Sequence, residues 1–243
     1  TPYGATEALP VASISGEEVL NETAAKSESG RGTCVGSRFD GIQWKVIQID
    51  DEAIENLKDV TELPSGEIGE LIVSGPVVTS HYATDPHHTT MHKIKAEDGT
   101  LWHRMGDVGY LDQQERFWFC GRKGHRVRLP EKTLFTIPCE AIMNRHPTVY
   151  RSALVSVNLS EDVEAAIIIQ PWQDSMPQSP QEESRLRDEL LTHATADEIT
   201  ADVKHILVHP DLPVDIRHNS KIFREKLAPW AQSKLRAEAE SKS

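Results

Sequence analysis

The sequence predicts an α+β protein made of two successive parts: a β-rich part, as a small antiparallel sheet or distorted barrel, then a smaller part mixing helices and strands. Three observations predict it. Residues 41–49 and 67–73 read as half-buried strands, the second introduced by the turn Leu63-Pro64-Ser65-Gly66. Residues 102–120 read as a hairpin, because Val108, Tyr110 and Leu111 precede the polar turn Asp112-Gln113-Gln114-Glu115-Arg116 and Phe117-Trp118-Phe119 follows it. Beyond Arg122 strands alternate with helices, and Gly121 and Gly124 mark the passage.

In chain order, residues 13–33 are polar and read as a surface loop with a short helix. Gly30-Arg31-Gly32-Thr33 is no phosphate-cradling loop, since no Gly-Lys-Ser/Thr follows and no apolar strand precedes it. His88 and His92 have the spacing of a helical metal pair, but without a further ligand the histidine-rich stretch reads as a solvated helix start. Residues 136–143 open a helix, 152–157 and 164–170 are strands, and a Pro, Ser and Gln-rich loop leads to a helix over 182–192 with Leu186 and Leu190 on one face. Residues 206–208 are a short strand, and the tail from Ala231 reads as a fraying helix without chemistry. The expected organisation is therefore 1–120, a hinge at 121–124, and a mobile domain over 125–243.

Composition narrows the functional classes. With 38 acidic against 26 basic residues the formal charge is −12, which offers no general basic surface for nucleic acid or anionic lipid. The longest clear apolar run, residues 165–169, has strand length and is too short to cross a bilayer. Three widely spaced cysteines, Cys34, Cys120 and Cys139, point to a reduced, cytosolic setting. The chain starts at Thr1, and its opening residues already carry site-like chemistry, so a preceding segment is expected.

That chemistry lies in three motifs. Asp107, in Gly106-Asp107-Val108-Gly109, and Arg122, in Gly121-Arg122, flank the hairpin, with glycines around them that permit close approach to a ligand. Tyr3-Gly4-Ala5-Thr6-Glu7 combines an aromatic face suited to a purine with a carboxylate suited to Mg²⁺. Residues 213–227 place Lys221 in a polar turn, where a cation can stabilise charge developing on a phosphate. Each has a structural alternative: a turn-capping Asp107, a helix-capping Thr6, and a solvated basic turn carrying Lys221, Arg224 and Lys226.

In this order the motifs resemble the acyl-adenylating superfamily of acyl-CoA synthetases, luciferases and peptide-synthetase adenylation domains. The resemblance implies ATP and Mg²⁺ as cofactors. It implies that Tyr3 packs on adenine, with Gly4 beside it in the nucleotide site, that Thr6 contacts phosphate, and that Glu7 holds magnesium. Asp107 would accept the ribose hydroxyls, Arg122 would contact the nucleotide, and Lys221 would enter the active site during adenylation. The phosphate-gripping loop and most of the acyl pocket would belong to a missing N-terminal segment, leaving this chain inactive alone.

Three departures narrow the resemblance. Gly124 stands where the family often has Asp or Lys at its hinge, residues 128–138 lack the glycine that lets a pantetheine arm pass, and Ser220 replaces the glycine before the lysine. With the longer stretches at residues 1–12, 102–112 and 134–142, these features resemble the β-lactone synthetases of bacterial long-chain olefin biosynthesis. The implied reaction activates a long-chain 2-alkyl-3-hydroxy acid as its adenylate; its own β-hydroxyl then closes a β-lactone, favoured by the high effective concentration of an internal nucleophile. Other enzymes of the olefin pathway would be partners in an assembly. His125 and His218 are candidates for the base, against a structural role for each. The alternatives are a long-chain acyl-CoA or acyl-AMP ligase and a non-catalytic partner module.

Overall fold

The computed structural model describes residues 2–159, 162–215 and 221–241. The chain divides into two compact units, residues 1–27 with 31–124, and residues 28–30 with 125–243.

The first unit is built on an eight-stranded sheet in the order β1-β2-β3-β8-β7-β5-β4, with β6 also paired to β7. Its strands are β1 (Pro2–Ala5), β2 (Ala8–Ser13), β3 (Thr33–Arg38), β4 (Gln43–Ile47), β5 (Gly69–Ser74), β6 (Lys93–Lys95), β7 (Leu101–Leu111) and β8 (Phe117–Arg122). Every ladder between them is antiparallel. The α+β class is as expected, but the barrel form is corrected: β1 and β4 are the two ends of an open sheet. Apolar residues fill both faces of the middle strands. Leu71, Val73, Met105 and Phe117 pack on one side, and Ile47, Ile72, Ile94 and Trp102 on the other. All of β5 is buried, which corrects the half-buried reading of this strand: its Glu70 is buried against Arg104 instead of facing solvent.

The β7–β8 hairpin turns through side-chain bonds of Asp112. Its carboxylate accepts from the backbone N–H of Gln114 and Arg116 at 2.9 Å each, from Arg116 Nε at 2.9 Å and from Trp118 Nε1 at 2.9 Å. Glu115 adopts φ 58°, the left-handed step that closes the turn. Gly109 is required by the sheet rather than by a ligand: a Cβ there would lie 2.1 Å from the Trp118 carbonyl oxygen and 2.7 Å from Phe117 Cζ.

Between β2 and β3 the expected loop with a short helix is corrected to a helical run over residues 16–31. Ser15 opens it with a capping box to Glu18, and Gly30, at φ 83°, ends it. The histidine-rich stretch forms the helix Pro86–His92, capped by Asp85, with the His88 and His92 rings stacked 5.7 Å apart.

The second unit has three layers. Its sheet runs β11 (Val149–Asn158), β12 (Val163–Pro171), β13 (Val203–Val208), antiparallel then parallel, and β9 (Val127–Arg128) pairs with β10 (Thr133–Leu134) beside it. Alternation along β12 separates two cores. Ile167 and Ile169 face the helices Thr136–Asn144 and Pro180–Thr195, while Ala166 and Ile168 face the helix Arg224–Glu240. Leu186 and Leu190 are buried on one face as expected. The fraying tail is corrected: Ala231 is fully buried and Leu235 nearly so, and both pack against the sheet.

Candidate active site

Asp107 lies late in β7, directly opposite Arg122 at the end of β8. Two extra residues of β7 face β5 at this point, Glu70 pairing with Val108 and Ile72 with Arg104, and Gly106 bends the strand at φ 65°. The Arg122 guanidinium donates to Asp107 Oδ1 at 2.8 Å and to the Met105 carbonyl at 3.1 Å. The Tyr3 hydroxyl donates to Asp107 Oδ2 at 2.5 Å, and its ring lies 5.9 Å from that of Phe117. Tyr3, 104 positions before Asp107, and Arg122, 15 after it, thus meet on one carboxylate. Burial pushes the Asp107 carboxyl above its ordinary range against the pull of Arg122. Burial and Asp107 together raise the Tyr3 hydroxyl well above its usual value, so it remains a donor.

Tyr3 and Gly4 belong to β1, and Thr6 and Glu7 make the turn into β2. The helix-cap alternative for Thr6 is corrected, since this turn joins two strands. A Cβ on Gly4 would lie 2.5 Å from the Ala8 carbonyl oxygen, so glycine here serves the hairpin's close approach. The Glu7 carbonyl accepts from Thr79 N–H at 2.9 Å.

Sequence reasoning missed the side chains around the Glu7 carboxylate. Burial first, and then the nearby Glu7 charge, raises the Tyr82 hydroxyl to about 12. Lys93 and His103 face each other across the β6–β7 ladder, both buried. Lys93 Nζ donates to Thr79 Oγ1 at 3.3 Å, and burial lowers its pKa. Burial and the Lys93 charge bring His103 down to about 4, so it is neutral at pH 7. Lys93 sits in a short polar stretch without motif spacing, so only the strand pairing reveals it.

Behind Asp107 lies a second buried charge cluster. Arg104 donates to Glu70 Oε2 at 2.6 Å through Nη2 and at 3.2 Å through Nε, and to the carbonyls of Asp50 and Glu52. Lys123 Nζ reaches the same Glu70 oxygen at 3.1 Å and the Asp50 carbonyl at 2.9 Å. Arg122 and Lys123, consecutive in sequence, therefore grip carboxylates on two different strands. β8 stays paired through Arg122, so within 121–124 only Lys123 and Gly124 lie beyond it.

Lys221 is exposed in the second unit, where its carbonyl accepts from Asp215 N–H at 2.9 Å. His125 is half-buried in the 3-10 turn Lys123–His125, while His218 and Ser220 lie outside the described residues. The solvated-turn alternative is corrected for Arg224, which is mostly covered and paired with Glu140. Among the described residues no three His, Cys, Asp or Glu side chains converge as a metal cluster, and no helix is long and apolar enough to cross a membrane.

The structure is similar to that of the amide bond synthetase McbA from Marinactinospora thermotolerans, with a TM-score of 0.72 and 20% identity over 94% of this chain and 41% of that one. It is also similar to o-succinylbenzoate CoA synthetase (MenE) from Bacillus subtilis in complex with the acyl-adenylate intermediate OSB-AMP, with a TM-score of 0.67 and 19% identity over 93% of this chain and 40% of that one. The fold is that of the acyl-adenylate-forming enzymes. Within that class the chain is a homologue of olefin β-lactone synthetase: it is 43% identical to the protein of that name from Stenotrophomonas maltophilia (strain K279a), over 98% of this chain and 43% of the relative. The chain thus spans less than half the length of that relative. No family model matches the chain.

Proposed function

We propose that this chain is the C-terminal portion of an AMP-forming ligase that activates a long-chain 2-alkyl-3-hydroxy acid and closes it to a β-lactone. The observation that carries the reading is the Asp107 carboxylate, buried where two strands meet and shared by Tyr3 and Arg122. Its two oxygens offer about four acceptor positions, so ribose hydroxyls can add to the partners already there.

In this reading Asp107 fixes the ribose, Arg122 holds the nucleotide, Tyr3 covers the adenine with Gly4 beside it, and Thr6 contacts phosphate. Glu7 fits Mg²⁺, which takes one or two carboxylates plus phosphate oxygens and water rather than a cage of side chains. The ion, when bound, neutralises phosphate charge. Tyr82 lies close enough to the Glu7 carboxylate to feel its charge, and the carboxylate keeps lone pairs for an ion. Lys221 stabilises the charge that builds as the carboxylate attacks the α-phosphate. The segment 121–124 acts as the hinge on which residues 125–243 move, and a preceding segment completes the phosphate grip. The β-hydroxyl then attacks the activated carbonyl and expels AMP, so no CoA channel is needed. The buried thiols of Cys34, Cys120 and Cys139 suit a cytosolic enzyme, and enzymes of the same pathway are its partners.

The test gives the complete enzyme ATP with a 2-alkyl-3-hydroxy acid and no CoA, then ATP with a plain fatty acid and CoA. β-Lactone with AMP and pyrophosphate in the first mixture supports the reading; thioester as the main product in the second rejects it.

A further inference from the structure

We propose that Glu140 and Arg224 are positioning residues for adenylation: their largely buried pair clamps the ribbon that carries Lys221. The inference rests on the adenylating reading and adds two residues to it.

Lys221 follows directly on residues 216–220, and the chain on either side of them is joined into a short antiparallel ribbon. Asp215 N–H donates to the Lys221 carbonyl at 2.9 Å, Phe223 N–H donates to the Pro213 carbonyl at 2.8 Å, and Val214 bridges to Ile222. A ribbon this short is not stable alone. Ile222 and Leu212 tie it to the core beneath the helix Arg224–Glu240, but apolar contacts are non-directional and do not fix its aim.

Directional restraint comes from the next side chain. Arg224 Nη2 donates to Glu140 Oε1 at 2.6 Å and to Oε2 at 2.7 Å. Glu140 Oε1 also accepts from Leu154 N–H at 2.9 Å, which fixes the carboxylate to β11 as well as to its own helix, Thr136–Asn144. The ribbon is thereby referenced through one guanidinium to two rigid elements of the second unit.

Stability alone is a poor reason for this arrangement. A buried ion pair contributes little compared with apolar side chains of the same volume. Arg224 also makes both bonds through one nitrogen, and its buried Nε has no hydrogen-bond partner among the described residues. What the charged pair supplies is one geometry at a point three residues from Lys221. Reacting groups displaced by about an ångström lose on the order of a hundredfold in rate, so a lysine carried on so short a ribbon needs such a reference.

The test compares Glu140→Gln/Arg224→Gln, which removes both charges so that neither is left buried alone, with Arg224→Lys and Lys221→Ala, all in the complete enzyme. Pyrophosphate release and hydrogen exchange at the Asp215 and Phe223 amides are measured. The double variant is expected to lose about tenfold or more in kcat, to keep its KM for ATP, and to exchange faster at both amides. Arg224→Lys, which keeps the charge but not the planar fork, should recover part of the rate. Pyrophosphate release at the parent rate in the double variant overturns the proposal, as does a loss of rate with both amides as protected as in the parent. An unaffected Lys221→Ala enzyme would instead remove the lysine, and the adenylating reading with it.

Discussion

Asp107 and Arg122 are partners twice over: they are paired across the β7–β8 ladder, and their side chains are joined at 2.8 Å. The backbone register places the guanidinium on the carboxylate without a long side-chain search. Arg122 nevertheless remains more than half exposed while Asp107 is almost wholly buried.

An ion pair with one exposed partner contributes only about 0–1 kcal/mol to stability. Arg122→Met should therefore leave the urea midpoint of the chain nearly unchanged while raising the KM for ATP of the complete enzyme roughly tenfold, a loss of about 1.4 kcal/mol in binding. Equilibrium denaturation and ATP titration check the two halves separately. A large drop in stability with unchanged KM would make Arg122 structural.

The Glu70–Arg104 pair is the opposite case, with both side chains fully buried. Arg104→Met removes the guanidinium from Glu70 and leaves that carboxylate to Lys123, and should cost up to about 3 kcal/mol. Urea unfolding followed by the fluorescence of the buried Trp44, Trp102 and Trp118 reads that loss. A shift below about 1 kcal/mol would mean that Lys123 alone compensates the Glu70 charge.

His103 has a pH signature. Its folded pKa, about 4, lies below the ordinary 6.5, because burial and Lys93 disfavour the imidazolium; the Glu7 carboxylate opposes them and the nearby His92 adds to them. As pH falls through 6.5 the unfolded chain binds this proton first. The stabilisation is thus complete above 6.5 and is lost progressively toward 4, to a limit of roughly 3 kcal/mol. His103→Asn, which keeps a donor for the His92 carbonyl, should flatten stability against pH in that window. An unchanged slope would show that His103 titrates normally.

Gly109→Ala brings a methyl group against the Trp118 carbonyl and the Phe117 ring. Shifting the ladder to admit it should cost about 1–3 kcal/mol, measured by thermal unfolding. A neutral substitution would show that the ladder yields freely.

Much of this site was legible because local signals coincide with it. The hairpin follows from apolar strands around Asp112-Gln113-Gln114-Glu115-Arg116, and that turn delivers Asp107 opposite Arg122. The motif around Tyr3 singles out that side chain, and its contact with Asp107 is a tertiary fact that only the fold supplies. Glu140 and Arg224, 84 positions apart, and Glu70 and Arg104, 34 apart, share no spacing rule, so nothing in the chain announces them. Gly109 reads from the sequence as room for a ligand, whereas it serves a close contact within the sheet, as Gly4 does. The helical run over residues 16–31 was hidden by its polar composition, because most of it faces solvent and carries no apolar stripe. The last helix is legible but its packing is not, for a related reason: small Ala231 and widely spaced Leu235 suffice to bury it.

The central claim is that Asp107 binds the ribose of an acyl-adenylate. A crystal structure of the complete enzyme with a non-hydrolysable adenylate analogue tests it most directly. The account predicts both ribose hydroxyls at hydrogen-bond distance, about 2.7 Å, from the Asp107 carboxylate, with Arg122 beside the nucleotide. A nucleotide bound away from Asp107, with Tyr3 and Arg122 still its only partners, would contradict it.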